Sequence, residues 1–210
     1  MAHSMFFMVG IIHRDREAKD RLEKILKEIK PDIITLEFTN FGLNFRKRNF
    51  QRIKRKLAKI YRWGHADAII EFFSIPYEYE VAKNYSKRTG VPVYFADMDF
   101  FSFFHLRSAL ELLTEKNAEG VRTFSYQERK YTEKKIADAY FSKNLKLFSY
   151  SNEMKVRDEY ASRLIERIMR ENEGKRIVHI CGWRHLIDEY GYFSRLNPKK
   201  IYVYDKAFCF

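Results

Sequence analysis

The chain has 210 residues, 46% of them hydrophobic and 17% aromatic, so it can bury one substantial core and is not a disordered polymer. Its formal charge of +12 favours an anionic partner, such as nucleic acid, an acidic membrane surface or a phosphorylated small molecule, although a merely solvated basic surface gives the same balance. Two cysteines do not imply a disulfide framework, and the apolar run at 5–12 is too short to span a membrane. We therefore expect a soluble cytoplasmic protein with no membrane span.

Apolar runs of strand length and apolar stripes of helical period divide the chain into elements. Strands are predicted at 5–9, 32–38, 91–96, 177–181 and 200–204. Helices are predicted at 15–29, 44–62, 65–73, 76–89 and 153–172, and 118–132 is the weakest stretch for helix. This order is typical of one α/β domain (1–210), with a mostly parallel sheet of about five strands flanked by helices and a large helical insertion at roughly 100–172. The Phe-rich start of that insertion, 100–104, is predicted to lie in the core, with an apolar substrate pocket as the alternative.

Four side chains able to bind metal or move protons follow directly after predicted strands. They are His13, Glu37, Asp97 and His185, and each histidine closes a Gly-x-x-His sequence. Since loops at the carboxyl ends of parallel strands form the ligand crevice, we expect these side chains to meet. Two imidazoles and a carboxylate are a recurring ligand set for catalytic zinc, iron or manganese. The alternative is that the histidines are ordinary hydrogen-bonded loop residues and the carboxylates pair with arginines. His179, inside a strand, is predicted to face a core partner.

Short motifs of one family recur in order along nearly the whole chain. They are Val9–His13, Lys30–Glu37, Pro76–Glu80, Gly90–Asp97, Arg157–Ala161 and Gly182–His185. In this order they resemble the TraB/PrgY/Tiki superfamily, whose wider relatives include erythromycin-esterase-like and ChaN-like proteins. That family opens with Gly-Thr-x-His, a helix and Lys-Pro-Asp before a strand that ends in Glu. This chain departs from the pattern at Ile11, where the family has Thr, and at Met98, where relatives often have Arg.

The resemblance implies a metal-dependent hydrolase, a peptidase or esterase acting on a peptide or small-molecule substrate. It implies a divalent metal ion (Mn, Co, Zn or Fe) held by His13, Glu37 and His185. It further implies that Glu78 or Asp97 handles the proton. Arg157, at the start of its helix, would hold a carboxylate or bind the developing negative charge.

The segment 44–62 supports a competing function, because it is strongly basic and contains no acidic residue. One face of its predicted helix carries Arg48, Arg52, Arg55 and Lys59. Such a face can bind nucleic acid or another anion, and Phe45, Tyr61 and Trp63 nearby could stack on bases. The alternatives are a solvated helix face, or a helix that attracts an anionic substrate to the crevice. A non-catalytic nucleic-acid or anion-binding protein is therefore the rival prediction, and a metal-free hydrolase with His13 as base is a third.

Overall fold

The computed structural model describes residues 4–60, 67–111, 113–114, 116–117 and 126–205. The strands are β1 (Met5–Ile11), β2 (Ile33–Leu36), β3 (Val93–Phe95), β4 (Arg176–Gly182) and β5 (Lys199–Tyr202). The α-helices are α1 (Lys19–Ile29), α2 (Asn40–Ile60), α3 (Asp67–Phe73), α4 (Tyr77–Thr89), α5 (Asp99–Glu111), α6 (Tyr126–Lys143) and α7 (Asn152–Glu171). Short 3-10 turns lie at Arg16–Ala18, Trp183–Leu186 and Ser194–Leu196.

The five strands form one parallel sheet in the order β3-β2-β4-β1-β5. The predicted α/β class, with a mostly parallel sheet of about five strands and helices in the stretch between β3 and β4, is confirmed. Strands β1 and β4 pair along their full length, with Ile11 opposite Gly182 at the carboxyl ends. Because all strands run in one direction, their carboxyl ends lie at one edge of the sheet.

Most predicted elements are present with shifted ends. Strand β2 is shorter than the predicted 32–38 at both ends. Asp32, just before it, is bonded to Arg176 twice at 2.8 Å, because its backbone N–H donates to the Arg176 carbonyl and its carboxylate accepts the Arg176 N–H. His185, predicted to precede a short helix, lies inside the 3-10 turn Trp183–Leu186. The stretch predicted as weak, 118–132, is helical from residue 126 onward. Its first part, 118–125, lies outside the described residues, as do Tyr61 and Trp63.

The buried apolar residues form two cores, a larger one around the sheet and a smaller one among helices. The larger core contains the central strands, which are buried on both faces, with Met8, Ile34 and Ile180 at most 1% exposed. The smaller core joins α2, α3 and α5 through Leu57, Phe73 and other buried side chains, and so fixes a helical wall next to the strand ends. Within the described part of the chain, no helix combines the length and apolar character needed to cross a membrane.

The prediction that the phenylalanines of 100–104 lie in the core is wrong. Phe100 is 59% exposed, and Phe103 and Phe104 are also exposed. The cause is that the apolar residues of α5 are not confined to one face, and the helix buries only Leu106 completely, on the side that contacts the smaller core. Phe100 and Phe104 pack against each other on the surface with ring centroids 4.6 Å apart, whereas Phe101 is partly buried and lines a cavity together with His13 and Glu37.

Candidate functional site

The strand ends place the four predicted side chains in a row across the sheet edge. Asp97 follows β3, Glu37 follows β2, His185 follows β4 and His13 follows β1, which is the order of these strands in the sheet. The backbone N–H of Glu37 donates to the carbonyl of Ile180 at 2.9 Å, which fixes the end of β2 against β4. The topology thus brings together residues that are up to 172 positions apart in sequence, from 13 to 185.

Glu37 is the centre of this group. Its Oε2 lies 3.4 Å from Nε2 of His13 and accepts the backbone N–H of Gly182 at 2.6 Å. Its Oε1 lies 3.1 Å from Nε2 of His185 and 2.5 Å from Nη2 of Arg157. Burial alone would raise the pKa of Glu37, but His185, Arg157 and His13 hold it well below its usual range. The carboxylate is therefore ionised and surrounded by three potential cations.

Both imidazoles are held from behind by a second carboxylate. Nδ1 of His13 lies 2.9 Å from Oε1 of Glu78, and Nδ1 of His185 is hydrogen-bonded to Oδ1 of Asp158. Each ring thereby directs its Nε2 towards Glu37. The remaining oxygens, Oε2 of Glu78 and Oδ2 of Asp158, are buried and have no hydrogen-bond partner among the described residues. Burial raises the pKa of Asp158, against the hydrogen bond and the charge of His185.

Asp158 is a site residue that the sequence interpretation missed. It follows Arg157 directly and stood inside one of the matched motifs without a role. The available signal was the apolar pattern of the helix, because Asp158 lies on the same row as Ala161 and Ile165, which are buried in α7. A carboxylate on the buried row of a helix requires a partner, and His185 is that partner.

Arg157 binds two of the predicted carboxylates at once. Its Nε and Nη2 donate to Oδ1 and Oδ2 of Asp97 at 2.9 and 2.8 Å, and Nη2 also donates to Glu37. Burial would lower the pKa of Arg157, but Glu37 and Asp97 raise it above its ordinary value. Oδ1 of Asp97 also accepts the backbone N–H of Met98 at 2.8 Å. Of the two residues predicted to handle the proton, Asp97 thus has both oxygens occupied, whereas Glu78 has one without a partner.

Two glycines allow the two Gly-x-x-His segments to approach each other. A Cβ atom on Gly182 would lie 2.8 Å from Nε2 of His13. A Cβ atom on Gly10 would lie 2.9 Å from the backbone Cα of Trp183, in the turn that carries His185. Each glycine therefore makes room for the other segment, and no larger residue fits at either position without a shift of its neighbours.

The pKa values of the two site histidines and of the core histidine, His179, are shifted in opposite directions. Burial would lower the pKa of both site rings, but nearby carboxylates, Glu37 above all, raise it to about 9 for His13 and about 10 for His185. His179 behaves oppositely, since burial lowers its pKa to about 4 and its Nδ1 lies 2.9 Å from Oγ1 of Thr35. The prediction that His179 faces a core partner is confirmed.

A crevice of about 170 Å³ opens over the strand ends. Its floor is formed by His13, Glu37, Glu78, Asp97 and Arg157, and helices α2, α3 and α5 form the opposite wall. A second cavity, of about 410 Å³, lies between β3 and α7 and contains none of the predicted site residues. Five of the six predicted catalytic and metal-binding residues therefore share the smaller cavity, whereas His185, which is 6% exposed, does not line it.

Helix α2 exposes to solvent the basic face that was predicted for the segment 44–62. Arg48, Arg52, Arg55 and Lys59 are all exposed, and none of them forms an ion pair with a carboxylate of the described residues. Phe45 is not available for base stacking as predicted, because its ring packs against Phe41 and Phe73 at centroid distances of 6.1 and 6.3 Å.

Comparisons of the chain with protein-family models, with curated proteins and with solved structures find no match. The resemblance to the TraB/PrgY/Tiki superfamily therefore stays a prediction carried by the motifs. In the described residues, no group of three or more His, Cys, Asp or Glu side chains is already arranged to hold a metal ion. In the arrangement described above, the Glu37 oxygens are instead taken by Arg157, Gly182 and the two imidazoles.

We expect Gly182→Ala to break the contact between His13 and Glu37, because the new methyl group would lie 2.8 Å from Nε2 of the ring. The pKa of His13 should fall towards its ordinary value, and the free energy of unfolding should drop by about 1–3 kcal/mol, as for other overpacked sites. An NMR titration of the imidazoles and urea unfolding measure both effects. An unshifted His13 titration in a folded Gly182→Ala protein would contradict this account of the contact.

The metal-free protein should lose stability as pH rises from about 6.5 to about 10, the raised pKa of His185. Both rings keep a proton in the folded state that the unfolded chain, with an ordinary histidine pKa of 6.5, releases. The slope is at most about 1.4 kcal/mol per pH unit for the buried His185, and smaller for His13, whose side chain is 42% exposed and screened by water. Urea unfolding in chelator at several pH values measures the slope. Glu37→Gln should flatten it, and a flat wild-type profile would show that the rings are not charged.

Proposed function

We propose that the chain is a metal-dependent hydrolase of the TraB/Tiki type, a peptidase or esterase whose divalent metal is held by His13, Glu37 and His185. One observation carries the proposal: both imidazoles aim Nε2 at a single carboxylate while Nδ1 of each is bonded to a further carboxylate. Carboxylate partners at the second ring nitrogen are the usual means by which proteins orient metal-binding histidines.

The donor set fits a divalent metal in its chemistry. Two imidazole nitrogens and a carboxylate form a set that zinc, iron and manganese accept, with further positions open to water or substrate. Binding of the metal requires each ring to lose the proton that it directs at Glu37. Glu78 and Asp158 each have a buried oxygen without a partner in the described residues, and this oxygen can compensate the loss of that proton. When bound, such a metal supplies Lewis acidity and a water of lowered pKa.

The other roles in the proposed hydrolysis are assigned to side chains of the protein itself. Glu78 lines the crevice and has one free oxygen, so we assign it the acceptance and return of the proton. Arg157 and Asp97 form a bidentate pair that holds Glu37 in place from the side opposite the histidines. Asp158 keeps the His185 ring in its orientation. Arg157 is thus a positioning residue in this proposal.

A nucleic-acid-binding function is the second candidate, favoured by the four exposed cations of α2 that have no carboxylate partner in the described residues. An exposed row of this kind supplies the charge that counterion release requires. It does not involve the buried site, so the two functions can be tested separately.

Protein purified without chelator should contain about one divalent metal per chain, measured by elemental analysis. Glu37→Gln should abolish the metal, and Asp158→Asn should weaken its affinity about 10–100-fold, as loss of a ring-orienting partner does. Glu189→Gln is the matched control, because Glu189 pairs with Lys146 on the surface at 2.6 Å and forms no described hydrogen bond with Glu37 or its partners. If no metal is present and none binds at micromolar concentration, the proposal is wrong, and hydrolysis that survives chelator would point to His13 as a base.

The rival function predicts salt-dependent binding to DNA or RNA. Replacing Arg48, Arg52 and Arg55 with Glu should then reduce the slope of log affinity against log salt by roughly 0.9 for each lost phosphate contact. The same change at Arg163, Arg167 and Arg170, which are exposed on α7, is the control for net charge. Filter binding at several salt concentrations measures the slope. Equal losses in the two triple variants would mean that α2 is not a specific interface.

A further inference from the structure

Arg46 is a cation of the crevice that the proposed chemistry does not use. It lies on α2 and lines the crevice. Its Nη1 and Nη2 donate only to the backbone carbonyls of Gly42 and Phe72, at 3.1 and 3.4 Å, and its Nε is buried without any partner. No carboxylate of the described residues lies within ion-pair distance of it. A partly buried guanidinium that has only carbonyl groups as hydrogen-bond partners is poorly compensated.

Arg14 adds a second cation at the same wall. Its guanidinium lies 4.5 Å from the centre of the Phe72 ring, and that of Arg46 lies 6.0 Å from the same ring and 5.5 Å from Phe38. Burial first and the charge of Arg14 second lower the pKa of Arg46 to about 10, while the charge of Glu78 raises it. An anion bound to Arg46 would reduce its repulsion from Arg14.

The backbone of Arg14 is held in an unusual conformation. Its φ of 65° lies in the left-handed region, which a side chain other than Gly, Asn or Asp rarely adopts. Such residues are strained by about 1–3 kcal/mol and cluster at binding sites. Here the conformation follows directly after His13 and places the Arg14 side chain on the crevice wall.

The acidic groups around the crevice already have partners. Glu37 and Asp97 pair with Arg157, Glu78 pairs with His13, and Glu71 pairs with Arg16 at 3.3 Å. None of these carboxylates forms an ion pair with Arg46, although the charge of Glu78 acts on it and raises its pKa. Arg46 therefore keeps an unused hydrogen-bond donor, its buried Nε, that a group from outside the protein can fill.

We propose that Arg46, with Arg14 beside it, binds an anionic end group of the substrate, a carboxylate or a phosphate, next to the His13–Glu37–His185 cluster. The forked guanidinium suits planar or tetrahedral oxyanions, and the rings of Phe38 and Phe72 flank the bound group. The crevice, at about 170 Å³, is smaller than most ligand pockets, so it takes the end of a substrate and not a whole large one. That the ligand is a substrate rests on the proposed hydrolase function, but the anion site itself does not.

Binding of benzoate and phenyl phosphate, with benzamide as the neutral control, tests the site on the full chain. Calorimetric titration and thermal unfolding should show that at least one anion binds and stabilises the protein while benzamide does not. Arg46→Met should weaken that binding at least about tenfold, and Arg46→Lys, which keeps the charge but loses the fork, should lie between. Arg170→Met, at an exposed arginine of α7 that does not line the crevice, is the matched control and should bind as the wild type does. Preference for benzoate or for phenyl phosphate identifies the end group.

The outcomes separate this inference from the hydrolase proposal, because metal content is measured on the same samples. No anion binding at tens of millimolar, or equal binding by wild type and Arg46→Met, would overturn the anion site whatever the metal content. Anion binding that depends on Arg46 in a protein unable to take up metal would support the site and overturn the hydrolase. Should Arg46→Met fail to fold, Arg46→Lys and the wild-type titration against benzamide still decide the question.

Discussion

The ionised carboxylate of Glu37 holds the functional edge of the molecule together. It contacts the end of β1 through His13, the end of β4 through the Gly182 N–H, and α7 through Arg157. A buried charge of this kind is tolerated only with close partners, and removing one member leaves the others uncompensated at a cost of about 3–5 kcal/mol. The positions of the histidines, of α7 and of Asp97 behind Arg157 therefore depend on one side chain that follows β2.

The duplicated Gly-x-x-His sequence has a physical explanation in the pairing of β1 with β4. Gly10 lies opposite Cys181 and Ile11 opposite Gly182, so the two segments leave the sheet side by side. The glycine of each segment then gives space to the other, Gly182 to the ring of His13 and Gly10 to the turn at Trp183. Spacing along the chain predicts the histidines, but this reciprocity exists only once the two strands are neighbours.

The sequence was sufficient for the sheet and for the residues at its carboxyl ends, because long apolar runs without alternation identify buried parallel strands and each run stops at a polar residue. The sequence was insufficient to predict which face of a helix is buried when more than one face could be. Asp158 is buried because α7 presents its Ala161 row to the sheet, and the phenylalanines of α5 are exposed because that helix contacts the smaller core on one side only. Arg46 was overlooked within a segment interpreted as uniformly basic, although it lies about 200° around the helix from Arg48.

This position of Arg46 links the two candidate functions through one helix. The outer cations of α2 are in water, where their fields decay within about 8 Å at physiological ionic strength, so they act mainly on the rate at which an anion approaches. Arg46 faces the crevice, where reduced hydration makes each hydrogen bond to an anion stronger and more selective. An anionic substrate would therefore interact with α2 in two ways. The exposed cations would attract it to the surface, and Arg46 would then bind it by direct hydrogen bonds. In the proposed hydrolase, the basic composition of the segment would follow from an anionic substrate, and nucleic acid would not be needed to explain it.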